Sequence, residues 1–190
     1  MEWISLFDGK TLGKWMETDF SGKGEVSIDK NGSLVLGMGI ELTGVHWPGK
    51  KDFPTLNYEI ALDAKRTQGG DFFCGLTFPY GDSNATLVLG GWGGALVGIS
   101  SIDDFDASEN ETGDVYVFEE NRWYAIKLRV TKEKIEAWID DKKIVDLEVE
   151  KRKISMRSGE IELSAPLGLA TYSTTGVIRK IRYRNLDQGQ

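Results

Sequence analysis

The sequence predicts an all-β fold, a jelly-roll β-sandwich of two antiparallel sheets, as a single domain over residues 1–190. Three observations carry this. The composition pairs 23 glycines with only 4 prolines and adds 8 Phe, 6 Tyr and 6 Trp, which suits many strands joined by tight turns. Apolar residues recur with period two in one segment after another, and no segment shows helical periodicity free of turn signals. A chain of 190 residues is long enough for one full hydrophobic core and too short for two comfortable ones.

The first predicted hairpin joins Val26-Ser27-Ile28 to Leu34-Val35-Leu36 through Lys30-Asn31-Gly32, where Asn-Gly suits a type I′ turn. From Leu56 to Arg66 the alternation is clean: Tyr58, Ile60, Leu62 and Ala64 take one side, and Asn57, Glu59, Ala61, Asp63 and Lys65 take the other. After Gly69-Gly70 a further strand puts Phe72, Cys74, Leu76 and Phe78 on one face and Phe73, Gly75 and Thr77 on the opposite one. Thr86 to Leu89 and Ala95 to Ile99 form a pair around Gly90-Gly91-Trp92-Gly93-Gly94. Residues 101–120 hold eight acidic side chains and no basic one, which reads as a loop-rich connection. Three antiparallel strands then follow, at Trp123 to Val130, Ile135 to Ile139 and Ile144 to Val149. Leu167 to Tyr172 and Val177 to Tyr183 close the chain.

The net charge is −7 and unevenly spread, with 8 basic and 20 acidic residues in 1–120 against 15 and 10 in 121–190. An acidic majority repels phosphate backbones, so nucleic acid is not an expected partner. The basic residues from Ile178 to Arg184 alternate with apolar ones and read as a solvated strand face. Cys74 is the single cysteine, so no internal disulfide forms. No apolar run of 18 residues exists and residues 1–5 lack signal-peptide character. Neither a membrane partner nor a compartment is therefore indicated.

The opening Trp3-Ile4-Ser5-Leu6-Phe7-Asp8-Gly9-Lys10-Thr11-Leu12-Gly13-Lys14-Trp15 resembles the start of 3-keto-disaccharide hydrolase domains. Asn121-Arg122-Trp123-Tyr124 through Trp138-Ile139-Asp140-Asp141-Lys142-Lys143-Ile144 is similar to hairpins shared by that family and by concanavalin A-like domains. Pro166 to Tyr172 with Ile178 to Tyr183 resembles the family's closing strands. The resemblance implies a concanavalin A-like jelly roll with a concave sugar-binding face, commonly in secreted or periplasmic proteins. It departs at Gly70-Asp71-Phe72-Phe73-Cys74-Gly75-Leu76-Thr77, where many members carry an arginine that this chain lacks.

Candidate site residues follow. If neighbouring strands are sequential, Glu59, Asp63, Phe73, Gly75 and Trp92 share an open face, and aromatic rings beside glycine with carboxylates nearby suit a carbohydrate ligand. Glu59 and Asp63 lie four residues apart on a strand, roughly 13 Å at a ~3.3 Å rise, too far to form an acid/base pair alone. His46, the single histidine, sits beside Trp47 and is a candidate base by its ordinary pKa. Catalytic candidates are thus Glu59, His46 and Asp71, and substrate-binding candidates are Asp63, Phe73, Trp92 and Trp47. Asp103, Asp104 and Asp106 lie in the stretch richest in hard oxygen donors, the place where calcium is expected if it binds. Two functions compete: a glycoside hydrolase acting on 3-keto-glycosides or disaccharides, and a non-catalytic sugar-binding module.

Overall fold

The computed structural model describes residues 2–187. In chain order the strands are β1 (Ile4–Ser5), β2 (Met16–Glu17), β3 (Val26–Ile28), β4 (Leu34–Leu36), β5 (Leu42–Trp47), β6 (Tyr58–Gly69), β7 (Cys74–Tyr80) and β8 (Ser83–Gly91). They continue with β9 (Leu96–Ser100), β10 (Asp114–Val115), β11 (Tyr124–Val130), β12 (Lys134–Ile139), β13 (Lys142–Glu148), β14 (Leu167–Tyr172) and β15 (Thr174–Asn185). One short 3₁₀ turn, Glu160–Ser164, precedes β14. The first sheet runs β13-β12-β11-β6-β15-β4-β3 with β1 added on β15, and the second runs β10-β9-β8-β7-β14-β5-β2. All pairings are antiparallel. No helix among the described residues is long and apolar enough to cross a membrane.

Alternation builds the core. Tyr58, Ile60, Leu62 and Ala64 of β6 face inward, with Ile126 and Leu128 of β11 beside them. Cys74, Leu76 and Phe78 of β7, Leu87 and Leu89 of β8, and Ile99 of β9 meet them from the second sheet. Tyr58 is fully buried and donates its hydroxyl to the carbonyl of Pro79, so its polar tip is satisfied across the sandwich. Burial pushes the Cys74 thiol up to about 12, which leaves it an inert core residue.

Three local expectations are corrected. The β3–β4 turn spans residues 29–33 and is organised by Asp29, whose carboxylate accepts the amides of Asn31 and Ser33 at 2.9 and 3.0 Å. Only Gly32 takes positive φ there, so the turn is not type I′. The chain bends at Asp71–Phe73 just before β7, so Phe73 and Cys74 both turn inward. Phe73 is fully buried, edge-on to Phe118 at 4.9 Å, and Phe72 goes outward instead. Trp47 also belongs to the core, edge-on to Trp15 at 5.3 Å, so it presents no ring to a ligand.

Candidate functional site

The open face of the second sheet carries a groove of about 480 Å³, within the range of small-ligand sites. Its floor is Thr86 and Val88 of β8 and Ser100 of β9, side chains small enough to leave the sheet flat. One wall is apolar: Phe72 and Tyr172 lie 5.9 Å apart and pack with Leu42 and Ile161 on Phe20 and Ala170. Trp92, at the tip of the β8–β9 hairpin and 43% exposed, also lines the groove.

The segment between β13 and β14 crosses this face and forms the remaining rim. Ser101 and Ser155 exchange backbone hydrogen bonds of 2.8 and 3.2 Å, and Ile102 bridges Ile154, so the segment is stitched to the loop after β9. Further along, the Ser164 carbonyl comes so near Gly168 that a Cβ there would sit 2.5 Å from it; glycine is required for the 3₁₀ turn to rest on β14. This segment delivers Arg157 and Glu160 to the groove. Arg157 pairs with Asp106 at 3.0 Å and lies 6.0 Å from the Trp92 ring centre. Glu160 accepts the Ser21 hydroxyl at 2.7 Å and its amide at 3.2 Å, which ties the rim to the N-terminal segment.

Arg66 fixes the relation of the walls. It takes the inward position at the end of β6, 7% exposed, in register with Tyr58, Ile60, Leu62 and Ala64. A buried guanidinium must find acceptors, and it finds backbone: the carbonyl of Asp71 at 2.7 Å, of Gly90 at 3.2 Å and of Gly94 at 3.0 Å. Phe73 lies 5.1 Å from its guanidinium carbon. Burial lowers its pKa and the Asp71 charge opposes this, and a guanidinium stays protonated in any case. One side chain thereby clamps the turn bearing Asp71 to both ends of the hairpin bearing Trp92. Gly90, at φ +83, is required here too, because a Cβ would come within 2.5 Å of the Arg66 Nη2.

Of the predicted residues, the groove unites Asp71 and Trp92. Asp71 is half-buried, and its Oδ1 accepts the Phe72 amide at 2.8 Å. Glu59 and Asp63 lie on the outer face of the first sheet, on the opposite side of the sandwich. The carboxylate of Glu59 is fully buried between Arg129 at 2.9 Å and Arg184 at 2.6 Å. Burial alone would raise its pKa, and the hydrogen bonds from Arg184 and Arg129 outweigh that and hold it below the usual 4.5. Asp63 is held by Arg179 at 3.0 Å. His46 lies on β5 outside the groove lining, its Nδ1 paired with the Thr18 hydroxyl at 2.8 Å, and burial pulls its pKa below 6.5.

The three aspartates do not fit a calcium site. Asp103 is held by Arg152 at 2.6 Å, Asp104 by Lys153 at 2.7 Å and Asp106 by Arg157, so each carboxylate already faces its own cation. No group of three or more His, Cys, Asp or Glu side chains among the described residues could hold a metal ion. Sequence reasoning missed Arg66, Phe72, Arg157, Glu160 and Tyr172. Arg66 alone had a signal, since it continues the inward register of β6.

The architecture is a two-sheet antiparallel jelly roll with an aromatic-walled groove on one open face. Residues 2–187 match the model of the 3-keto-alpha-glucoside-1,2-lyase-like domain, and the chain belongs to that family. Solved structures of similar fold include a candidate glycosyl hydrolase from Parabacteroides distasonis, at 13% identity and TM-score 0.59, covering 97% of this chain and 94% of that one. A carbohydrate binding module from Bacillus subtilis matches at 15% identity and TM-score 0.57, covering 90% and 96%. A transglycosylase in complex with NAG matches at 11% identity and TM-score 0.63, covering 98% and 84%. No curated protein sequence matches the chain.

Proposed function

We propose that the groove on the second sheet binds a short glycoside and that the chain cleaves 3-keto-glycosides there, with Asp71 as the base. A carbonyl at C3 acidifies the proton on C2. A carboxylate that removes this proton sends the electron pair into a C1–C2 double bond as the C1–O bond breaks, and the departing sugar oxygen takes a proton. Water then adds across the double bond. The observation that carries the reading is the joint placement of Asp71 and Trp92 in one groove under the Arg66 clamp. A stacked ring holds the sugar while the carboxylate faces it, and proximity of this kind is a large part of catalysis. The Phe72 amide holds Oδ1 and fixes the carboxylate's orientation.

Asp71→Asn tests this, because it keeps the acceptor for the Phe72 amide and removes the basicity. Turnover of 3-keto-glycosides should fall by about 10² or more, the usual worth of a positioned general base, with affinity little changed. Turnover equal to wild type would end Asp71's part in the reaction.

One observation favours the second reading, a sugar-binding module. Of the three carboxylates that line the groove, Glu41, Asp71 and Glu160, Glu160 is committed to Ser21 and one Asp71 oxygen to the backbone, so two of the three have structural work without catalysis. Saturable calorimetric binding of unmodified sugars, with no sugar released from 3-keto-glycosides, would establish it over the lyase.

A further inference from the structure

The outer face of the first sheet, opposite the groove, is layered by charge. Glu59, Asp63 and Glu136 form its floor, their side chains 0, 15 and 12% exposed. Over them stand Lys127, Arg129, Lys143, Arg179, Lys180 and Arg184, each between 30 and 64% exposed. Cations therefore outnumber acids where this face meets solvent, the exposed acids being Asp146 and Glu148 at the β13 edge, although the chain as a whole carries −7. Three half-buried tryptophans are interleaved with them. Trp123 lies under Arg179 at 4.0 Å and Lys65 at 4.6 Å, Trp138 under Lys127 at 4.4 Å and Arg129 at 5.2 Å, and Trp3 under Arg184 at 4.5 Å.

These contacts hold the cations in fixed orientation. Arg129 and Arg179 each donate Nε to a carboxylate below, at 2.9 and 3.0 Å, and each stacks on an indole ring. What remains at the outer rim of each guanidinium is its terminal N–H pair, the fork that matches a planar carboxylate. The rotamer entropy that binding would otherwise cost is already spent in the fold.

We propose that this face is an interaction surface for an acidic polysaccharide bearing uronate carboxylates, distinct from the groove and able to be filled at the same time. Charge complementarity argues for a polyanion. A lipid surface is disfavoured because the exposed residues here are charged, with Ile4 the one exposed aliphatic side chain on β1 to insert. Nucleic acid is disfavoured because the indole faces that bases would stack on are covered by the chain's own cations.

The test is electrophoretic retardation of the folded chain in gels containing polygalacturonate, with dextran as the uncharged control. Retardation by polygalacturonate and not by dextran, fading as salt rises, is expected. The combined variant Lys65→Gln, Lys180→Gln removes two cations and leaves each floor carboxylate its closer partner, Arg129 and Arg184 on Glu59, Arg179 on Asp63 and Lys143 on Glu136. It should bind on the order of tenfold more weakly with an unchanged melting midpoint, whereas Trp92→Ala should be retarded like wild type. The proposal falls if polygalacturonate gives no retardation at 50 mM salt (roughly the low-salt regime in which such contacts are strongest). It falls equally if Trp92→Ala, and not the lysine variant, loses it, or if duplex DNA or phosphatidylserine vesicles bind as tightly as polygalacturonate.

Discussion

The two outer faces of this sandwich come from the same alternating strands and solve different problems. On the first sheet, outward positions carry long charged side chains that pair across strands, as Arg129 and Arg184 do with Glu59, and the surface stays a flat, charged sheet. On the second sheet, outward positions are Thr86, Val88, Ser100, Gly75 and Gly168, too short to cover the face. Other parts of the chain rise over it: the Trp92 hairpin, the Phe72 turn and the 155–164 segment. A concave site arises where strand residues are small enough to let loops build walls. Long paired residues prevent that and leave an open plane.

The largest expected effect is at Arg66, where the second face is tied to the core. Arg66→Met keeps apolar bulk and leaves three buried carbonyls without a donor, so about 3 kcal/mol of stability should be lost, together with most sugar affinity. A denaturant midpoint and a calorimetric titration measure the two losses; a stable variant with intact affinity would show that the walls hold without the clamp. Next is Glu59→Gln on the first face, expected to cost about 2 kcal/mol, a buried-pair penalty reduced because both arginines still reach water. Turnover should be unchanged, since Glu59 stands on the far side from the groove; a collapse of turnover in folded protein would break the division of labour between the faces.

Glu59 also sets a pH dependence. Its folded pKa is depressed, so its contribution to stability is full above the unfolded value near 4.5 and is lost as pH falls through the lower folded value. Acid melts of wild type and Glu59→Gln should therefore converge as pH falls below 4.5 and through the lower folded value. Smaller is Trp92→Ala: at 43% exposed the ring is a little over half covered, so stability should drop by about 1 kcal/mol or somewhat more while sugar affinity falls about tenfold. Last, melting midpoints in millimolar calcium and in chelator should coincide, since Asp103, Asp104 and Asp106 are already paired.

The sequence displayed much of the fold and little of the site. Alternation along β6 named its inward and outward residues correctly, because a period of two is a property of the strand alone. It carried no information on which strand lies beside which. β6 and β7 follow one another in sequence but sit in different sheets, and grouping Glu59 with Trp92 assumed the opposite. Phe73 was misassigned because a bend before β7 breaks the period by one residue. The acidic loop looked like a calcium site in composition, and its partners Arg152, Lys153 and Arg157 come from some 50 residues away. Groove residues Arg157 and Glu160 lie in a segment with no periodicity, where only the tertiary fold says what they face.

The pairing of β6 with β15 joins Tyr58–Gly69 to Thr174–Asn185, two segments more than a hundred residues apart, at the middle of the first sheet. During synthesis the β7–β8–β9 meander can form as soon as it emerges, since each turn is local. The first sheet cannot close then: β6 and β4 keep unpaired edges until β15 has left the ribosome, and β1 waits on the same strand. Such edges invite pairing with other chains. The step that commits this domain to its native state thus waits on β15, and a nascent chain stalled before residue 174 should depend on chaperones and associate through the open side of β6.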